Sequence, residues 1–225
     1  MALPLCEVRV FSRRHRFAGT LDVLGVWRNA GALIDYKTGD PRDVAADLQT
    51  AAYLGALLEM AERGDTSAML SFDKFTHTYT LDGERFRSVT QILQASGLID
   101  FSKIPSPILL EARDRGTAVH QALHYYNEDD IDLEAFCAEF PDYAPYVQAW
   151  VAFRAESGFE LATSFEQVGQ LTHVKRYAVR LKKNARYVVE PYATARDYAE
   201  FLALNTALQI RERRKGSWIE LAEVA

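Results

Sequence analysis

The chain has 225 residues but only two cysteines, Cys6 and Cys137. At most one disulfide can form, and a four-thiolate zinc site or a cysteine-ligated iron–sulfur cluster is excluded. Glycine and proline are scarce, 12 and 7 residues, which excludes collagen-like and Pro/Gly-rich disordered chains. No apolar run approaches the roughly 20 residues that a membrane-crossing helix needs, so no membrane partner is expected. The opening residues 1–11, MALPLCEVRVF, lack the basic start and full-length apolar stretch of a secretory signal. The expectation is a reduced, cytoplasmic protein. An excess of positive charge is missing too: 26 Lys/Arg stand against 31 Asp/Glu, a net charge of −5. That argues against a bulk electrostatic binder of nucleic acid.

The charge that is present is unevenly spread. Residues 171–225 hold 11 Lys/Arg against 6 Asp/Glu, and the rest of the chain holds 15 against 25. Such a distribution leaves room for an enzyme whose bound cations and local basic stretches meet phosphates. With 48% hydrophobic residues, the chain can bury one sizeable core or two small ones.

Patterning predicts an α+β chain, roughly half helical. Val8–Ser12 reads as a strand entering the basic run Arg13-Arg14-His15-Arg16. Ala18–Trp27 and Ala32–Lys37 read as two further strands, turning at Asn29-Ala30. Asp40 and Pro41 have the chemistry of a helix start, and an Ala/Leu-rich helix follows from Asp43 to about Glu62. Residues 64–71 read as a linker. Thr76–Arg87 reads as a hairpin turning at Asp82-Gly83, and Val89–Ala95 as a short helix opened by Ser88. Helices are expected from Pro107 to about Tyr126, interrupted at Gly116, and over Leu133–Phe140 and Tyr143–Glu156. Phe159–Val168 reads as a strand, Lys175–Leu181 and Arg186–Pro191 as a second hairpin, and Thr194 to about Lys215 as a final helix.

The stretch that carries chemistry is Asp22 with Asp35-Tyr36-Lys37. With the turn at Asn29-Ala30, Asp22 stands opposite Lys37 and Leu24 opposite Asp35. Residues opposite one another, and residues two apart, share a face, so Asp22, Asp35 and Lys37 project from one side. Two close carboxylates repel unless a cation lies between them, and oxygen donors of this kind suit Mg²⁺ or Mn²⁺. The lysine ammonium can orient a water and stabilise charge growing on a phosphate. Gln49 and Tyr53, four apart on the next helix, share a face. Taken alone, an Asp-x-Lys strand is a common solvated surface, and a lone His120 is a common packed core histidine. Their company is what makes them informative.

Four motifs carry a resemblance: Gly19-Thr20-Leu21-Asp22; Leu33-Ile34-Asp35-Tyr36-Lys37-Thr38-Gly39; Leu48-Gln49 with Tyr53; and Arg115-Gly116 with His120. Together they resemble RecB-type nucleases of the PD-(D/E)xK superfamily. Thr80-Leu81-Asp82-Gly83 followed by Ser88-Val89-Thr90-Gln91-Ile92-Leu93 resembles the entry segment of the phage and mitochondrial exonucleases in that group. The resemblance covers residues 8–62 and 76–126, and the segment 175–215 is similar to the tail that follows the core. It implies a restriction-endonuclease-like core, a mixed central sheet flanked by helices, forming one domain from segments 1–66, 71–163 and 175–225. It also implies a Mg²⁺- or Mn²⁺-dependent deoxyribonuclease, an exonuclease of phage or bacterial DNA recombination or repair. Asp22, Asp35, the Tyr36 carbonyl and His120 would hold one or two ions, without an iron–sulfur cluster. Lys37 would act on the attacking water, and Gln49 and Tyr53 would orient Lys37 or contact the nucleic-acid backbone. Arg13, Arg14, Arg16, Ser88, Thr90 and Arg115 would meet the phosphates of single-stranded DNA or duplex ends.

The segment order departs from that family. There the histidine helix precedes the Asp … Asp-x-Lys strands, and here it follows them. The family order would run 71–163, 7–66, 175–225, so the chain reads as circularly permuted or segment-transposed. Joins in surface loops make this tolerable, because each doubling of a loop costs only about 0.6 kcal/mol. The product would be a monomer or, where the joins cannot span, a segment-swapped dimer. A nuclease-like module that binds DNA or a protein without cutting is the competing expectation.

Overall fold

The computed structural model describes residues 3–38, 44–100, 102, 104–191 and 195–222. The expected helix start at Asp40 and Pro41 lies outside the described residues. In chain order the elements are β1 (Cys6–Ser12), β2 (Phe17–Trp27), β3 (Ala30–Lys37), α1 (Val44–Arg63), β4 (Leu70–Asp73), β5 (Thr78–Leu81), β6 (Glu84–Ser88) and α2 (Val89–Ala95). There follow α3 (Ser106–Asn127), α4 (Leu133–Glu139), α5 (Ala144–Ser157), β7 (Glu160–Leu161), α6 (Phe165–Val168), β8 (Lys175–Leu181), β9 (Tyr187–Pro191) and α7 (Ala195–Ala222). This is an α+β fold, as the patterning predicts, and its sheet is mixed. The chain, expected as a single domain of three segments, divides into two compact units: residues 1–9, 20–46 and 101–192, and residues 10–19, 47–100 and 193–225.

In the first unit the strand order is β2-β3-β8-β9. β2 and β3 run antiparallel, β3 and β8 parallel, β8 and β9 antiparallel. The β2–β3 turn is Arg28-Asn29, both with positive φ (52° and 59°), the conformation of a two-residue hairpin whose twist suits the strands. It pairs Trp27 with Ala30 and Leu24 with Leu33. The expected turn at Asn29-Ala30 is thereby corrected, and with it the pairing of Leu24 with Asp35. The slip is two residues, an even number, so every side chain keeps its face. One step beyond the ladder, Asp22 stands level with Asp35.

Val23, Ile34, Tyr36 and Val179 point from the sheet into a core completed by Val119 and Leu123 of α3 and Val147, Trp150 and Phe153 of α5. Burying side chains of this size contributes roughly 1.5–3 kcal/mol each. Within the core, Asn127 Nδ2 donates to Tyr36 Oη (3.0 Å), and Asn127 Oδ1 accepts from Trp150 Nε1 (2.9 Å) and from Arg154 (3.3 Å). That network ties the end of α3 to β3 and α5. The expected interruption at Gly116 is not found: α3 runs through it, at a propensity cost of about 1 kcal/mol that its packed face offsets. Only Glu160–Leu161 of the expected 159–168 strand is extended, and Phe165–Val168 is a helical turn. Gly25 permits this approach, since a Cβ there would lie 2.2 Å from the Glu160 carbonyl oxygen.

In the second unit β4, β5 and β6 form an antiparallel meander, and the start of β2 pairs in parallel with β6 at Phe17–Arg87 and Ala18–Ser88. The β5–β6 turn at Asp82-Gly83 is as expected, with φ of 52° and 81°. Residues 64–71 are more than a linker: Ser67–Met69 is a 3₁₀ turn and Leu70 begins β4. Ser88 caps α2 through a reciprocal exchange, its Oγ accepting from Gln91 N and its N donating to Gln91 Oε1, both at 3.0 Å. The Phe17 ring meets Phe201 of α7 edge-on, centroids 4.9 Å apart.

Candidate metal centre

Three elements of the first unit bring acidic and imidazole groups together. β2 supplies Asp22, buried at 7% exposure. Its Oδ2 accepts a 2.6 Å hydrogen bond from the Tyr36 backbone N of the neighbouring strand. Its Oδ1 lies 3.4 Å from Nδ1 of His120 on α3. The His120 ring also meets the Tyr36 ring edge-on, centroids 5.5 Å apart, so β3 positions both sides of the pair. β1 supplies Glu7. One donor atom each from Glu7, Asp22 and His120 lie within 4.8 Å of one another. Ligands of one ion at bond lengths of about 2.0–2.6 Å are separated by up to roughly 4–5 Å. Two carboxylates and an imidazole in such a cluster could hold a divalent cation such as Mn²⁺ or Mg²⁺.

Asp35, almost fully buried at 3% exposure, accepts an ion pair from Lys37 Nζ at 2.7 Å. Residues two apart on one strand share a face, and this pair lies level with Asp22.

The electrostatics report crowded negative charge. Burial and the nearby Asp22 push the Glu7 carboxyl up to about 7. Burial pushes Asp35 up to about 6, against the pull of Lys37. Burial opposes charge on His120, yet the Asp22 carboxylate and its hydrogen bond, with Glu7 and Asp35 behind, push the imidazole up to about 9. Asp22 is held below the ordinary carboxylate range: its burial is outweighed by His120, Lys37 and the Tyr36 N–H. The His120 imidazolium therefore compensates the carboxylates together with the Lys37 ammonium. Because its pKa is raised by folding, its contribution is full below about 6.5 and is lost as pH rises through about 9. We expect the thermal midpoint in EDTA to fall across that interval, and the fall to shrink in His120→Ala; parallel melts of the two proteins check it.

The structure thus brings Asp22 and His120 together, sets Asp35 and Lys37 beside them, and adds Glu7, which the motif reading does not include. Glu7 has φ of 50°, a left-handed conformation that costs a non-glycine residue on the order of 1 kcal/mol or more. The only sequence signal for it is an acidic residue within the first strand. Gln49 and Tyr53 belong to the second unit, where Gln49 Nε2 donates to Tyr53 Oη at 2.7 Å and the Tyr53 ring covers Gly19. Arg13, Arg14, Arg16, Ser88 and Thr90 lie in the second unit as well. Arg13 bridges Asp65 (3.2 Å) and Asp82 (2.6 Å), Arg16 pairs with Glu84 at 3.0 Å, and the Arg14 backbone N donates to Glu59. Arg16, Arg85 and Arg87 line a cavity of about 270 Å³ there. Arg115 is on α3 in the first unit. Among the described residues, no helix is long and apolar enough to cross a membrane. No family model, curated protein or solved structure matches the chain.

Proposed function

We propose that the protein is a metal-dependent nuclease that hydrolyses DNA phosphodiester bonds, working in the cytoplasm as an exonuclease. The observation that carries the reading is the convergence of Glu7, Asp22 and His120 donors within 4.8 Å, beside a lysine 2.7 Å from its own carboxylate. The reading takes the mixed sheet as a restriction-endonuclease-like core whose segments are in permuted order.

The donor set fits a hard divalent cation on two grounds. The ligand types are those that Mg²⁺ and Mn²⁺ take, and burial with neighbouring carboxylates raises the Glu7 and Asp35 carboxyls, which a bound cation would lower again. Glu7, Asp22 and His120 would hold the ion, with Asp35 and the Tyr36 carbonyl as the further ligands the motif implies. When bound, such an ion neutralises phosphate charge and acidifies water. The remaining work falls to the chain. Asp35 holds the Lys37 ammonium in place, and Lys37 presents its N–H groups to the water and to the non-bridging phosphate oxygens, where negative charge grows in the transition state. The Tyr36 N–H fixes Asp22 so that its other oxygen faces the cluster. Burial of both aspartates limits water around these charges and strengthens each interaction.

Linear single- and double-stranded DNA incubated with Mn²⁺ tests this. We expect products with the wild type, none in EDTA, and a loss of at least about 10²-fold in Lys37→Ala, the scale of one preorganised electrostatic contact. Cleavage that persists in EDTA or in Lys37→Ala defeats the reading; metal-dependent binding without products favours a silent DNA-binding module.

A further inference from the structure

A cavity of about 610 Å³ opens in the first unit, lined by Thr38, Arg115, Tyr146, Arg180, Leu181, Lys182 and Lys183. Four of these seven side chains are cationic, and among the described residues no carboxylate lines it. Its walls are continuous with the site by chain and by register. Thr38 follows Lys37 directly, and Arg180 of β8 is the strand partner of Lys37. Arg115 lies on α3, five residues before His120. Lys182 and Lys183 open the connection 182–186 between β8 and β9, closed by Lys182 N donating to Arg186 O at 2.9 Å.

Arg115 is the most telling of them. Its side chain is only 18% exposed, it makes a 3.7 Å ion pair with the solvent-exposed Glu111, and its Nε is buried with no hydrogen-bond partner among the described residues. The guanidinium lies over the Tyr146 ring, 5.7 Å from its centroid. A buried N–H left unsatisfied costs about 1–3 kcal/mol, and an arginine fork suits bidentate phosphate oxygens.

We infer that this cavity is the groove for backbone phosphates flanking the scissile bond, with Arg115, Arg180, Lys182 and Lys183 as their ligands and the Thr38 hydroxyl as a further donor. The inference deepens the nuclease reading and rests on it for the identity of the polyanion. Phosphate contacts set position and register without reading sequence, so the groove would act on affinity and leave base preference unchanged. Arg180, Lys182 and Lys183 are absent from the motifs, because a hairpin tip carries basic residues in many proteins for solubility alone.

The test uses the exposed turn, where substitution leaves the core intact. Fluorescence anisotropy of a labelled single-stranded oligonucleotide, with Ca²⁺ as the divalent ion, is measured for wild type, K182A/K183A and K182R/K183R from 50 to 200 mM salt. We expect K182A/K183A to bind at least about tenfold more weakly and the slope of log affinity against log salt to fall by roughly 0.7 per lysine removed. K182R/K183R retains both. In cleavage assays with Mn²⁺, KM rises in K182A/K183A while kcat stays within about threefold, as expected for contacts equally strong in ground and transition states. Unchanged affinity and salt slope in K182A/K183A overturn the groove while leaving cleavage by the wild type standing. Loss of affinity in a wild type that never cuts overturns the nuclease reading and leaves the groove as a nucleic-acid-binding surface.

Discussion

Asp22→Asn lowers the affinity for Mn²⁺ by more than about 100-fold and takes cleavage down at least about 10²–10³-fold. The first figure follows because changing even an outer partner of a ligand costs about 10–100-fold in metal affinity, and Asp22 is placed to be a ligand itself. The second is the loss seen when one preorganised electrostatic contact is removed. Asparagine matches aspartate in shape, so one oxygen can continue to accept from the Tyr36 N–H at 2.6 Å, and the hairpin is unaffected. The other position becomes an NH₂ group that faces His120, now 3.4 Å from a carboxylate oxygen. An amide N–H is a donor and does not ligate a cation. The same change strips His120 of its main electrostatic support while burial remains, so its pKa drops from about 9. Calorimetric titration of Mn²⁺ into both proteins, and an NMR titration of the His120 ring, report the two effects separately. Wild-type Mn²⁺ affinity in Asp22→Asn removes the cation from this site.

The sequence made much of the architecture legible because its local signals agree with the tertiary result. The Asp82-Gly83 turn, the Ser88 cap, and the strand Lys175–Leu181 were all marked by residues whose conformational needs are strong. Composition makes Asn29-Ala30 and Arg28-Asn29 equally plausible turns, so the expected β2–β3 register is two residues off; the left-handed backbone at Arg28 and Asn29 locates the turn and pairs Leu24 with Leu33. The 165–168 turn of helix was hidden because short apolar runs do not distinguish helix from strand. At the site, Asp22, Asp35, Lys37 and His120 could be named because their spacing carries chemistry. Glu7 could not, since its role depends on a left-handed backbone and on which strand lies beside β2, neither of which is written locally. The basic cavity has no local signal either: Arg115 and Arg180 are 65 positions apart in the chain, on α3 and β8, and come to one cavity only in the fold.

Glu7→Gln separates the two possible ligand sets. If Glu7, Asp22 and His120 hold the ion, the substitution weakens Mn²⁺ binding by more than about tenfold at pH 8, the lower bound for a group acting on a metal site. Glutamine keeps the length of the side chain and asks nothing new of the backbone at φ 50°, so folding is unaffected. The sign of the pH dependence is fixed by the carboxyl itself. Burial and Asp22 push it up to about 7, so at pH 6 the metal-free wild type carries a mostly protonated Glu7 and resembles the variant. As pH rises through about 7 the wild type gains a carboxylate that the variant cannot form. The affinity gap between the two proteins should therefore be small at pH 6 and widen by pH 8, read by calorimetry at both values. Equal affinities at pH 8 assign the cation to Asp22, Asp35 and His120 and reduce Glu7 to a bystander whose strained backbone has another cause. A wide gap places the first strand, which the motifs pass over, at the centre of the site's chemistry.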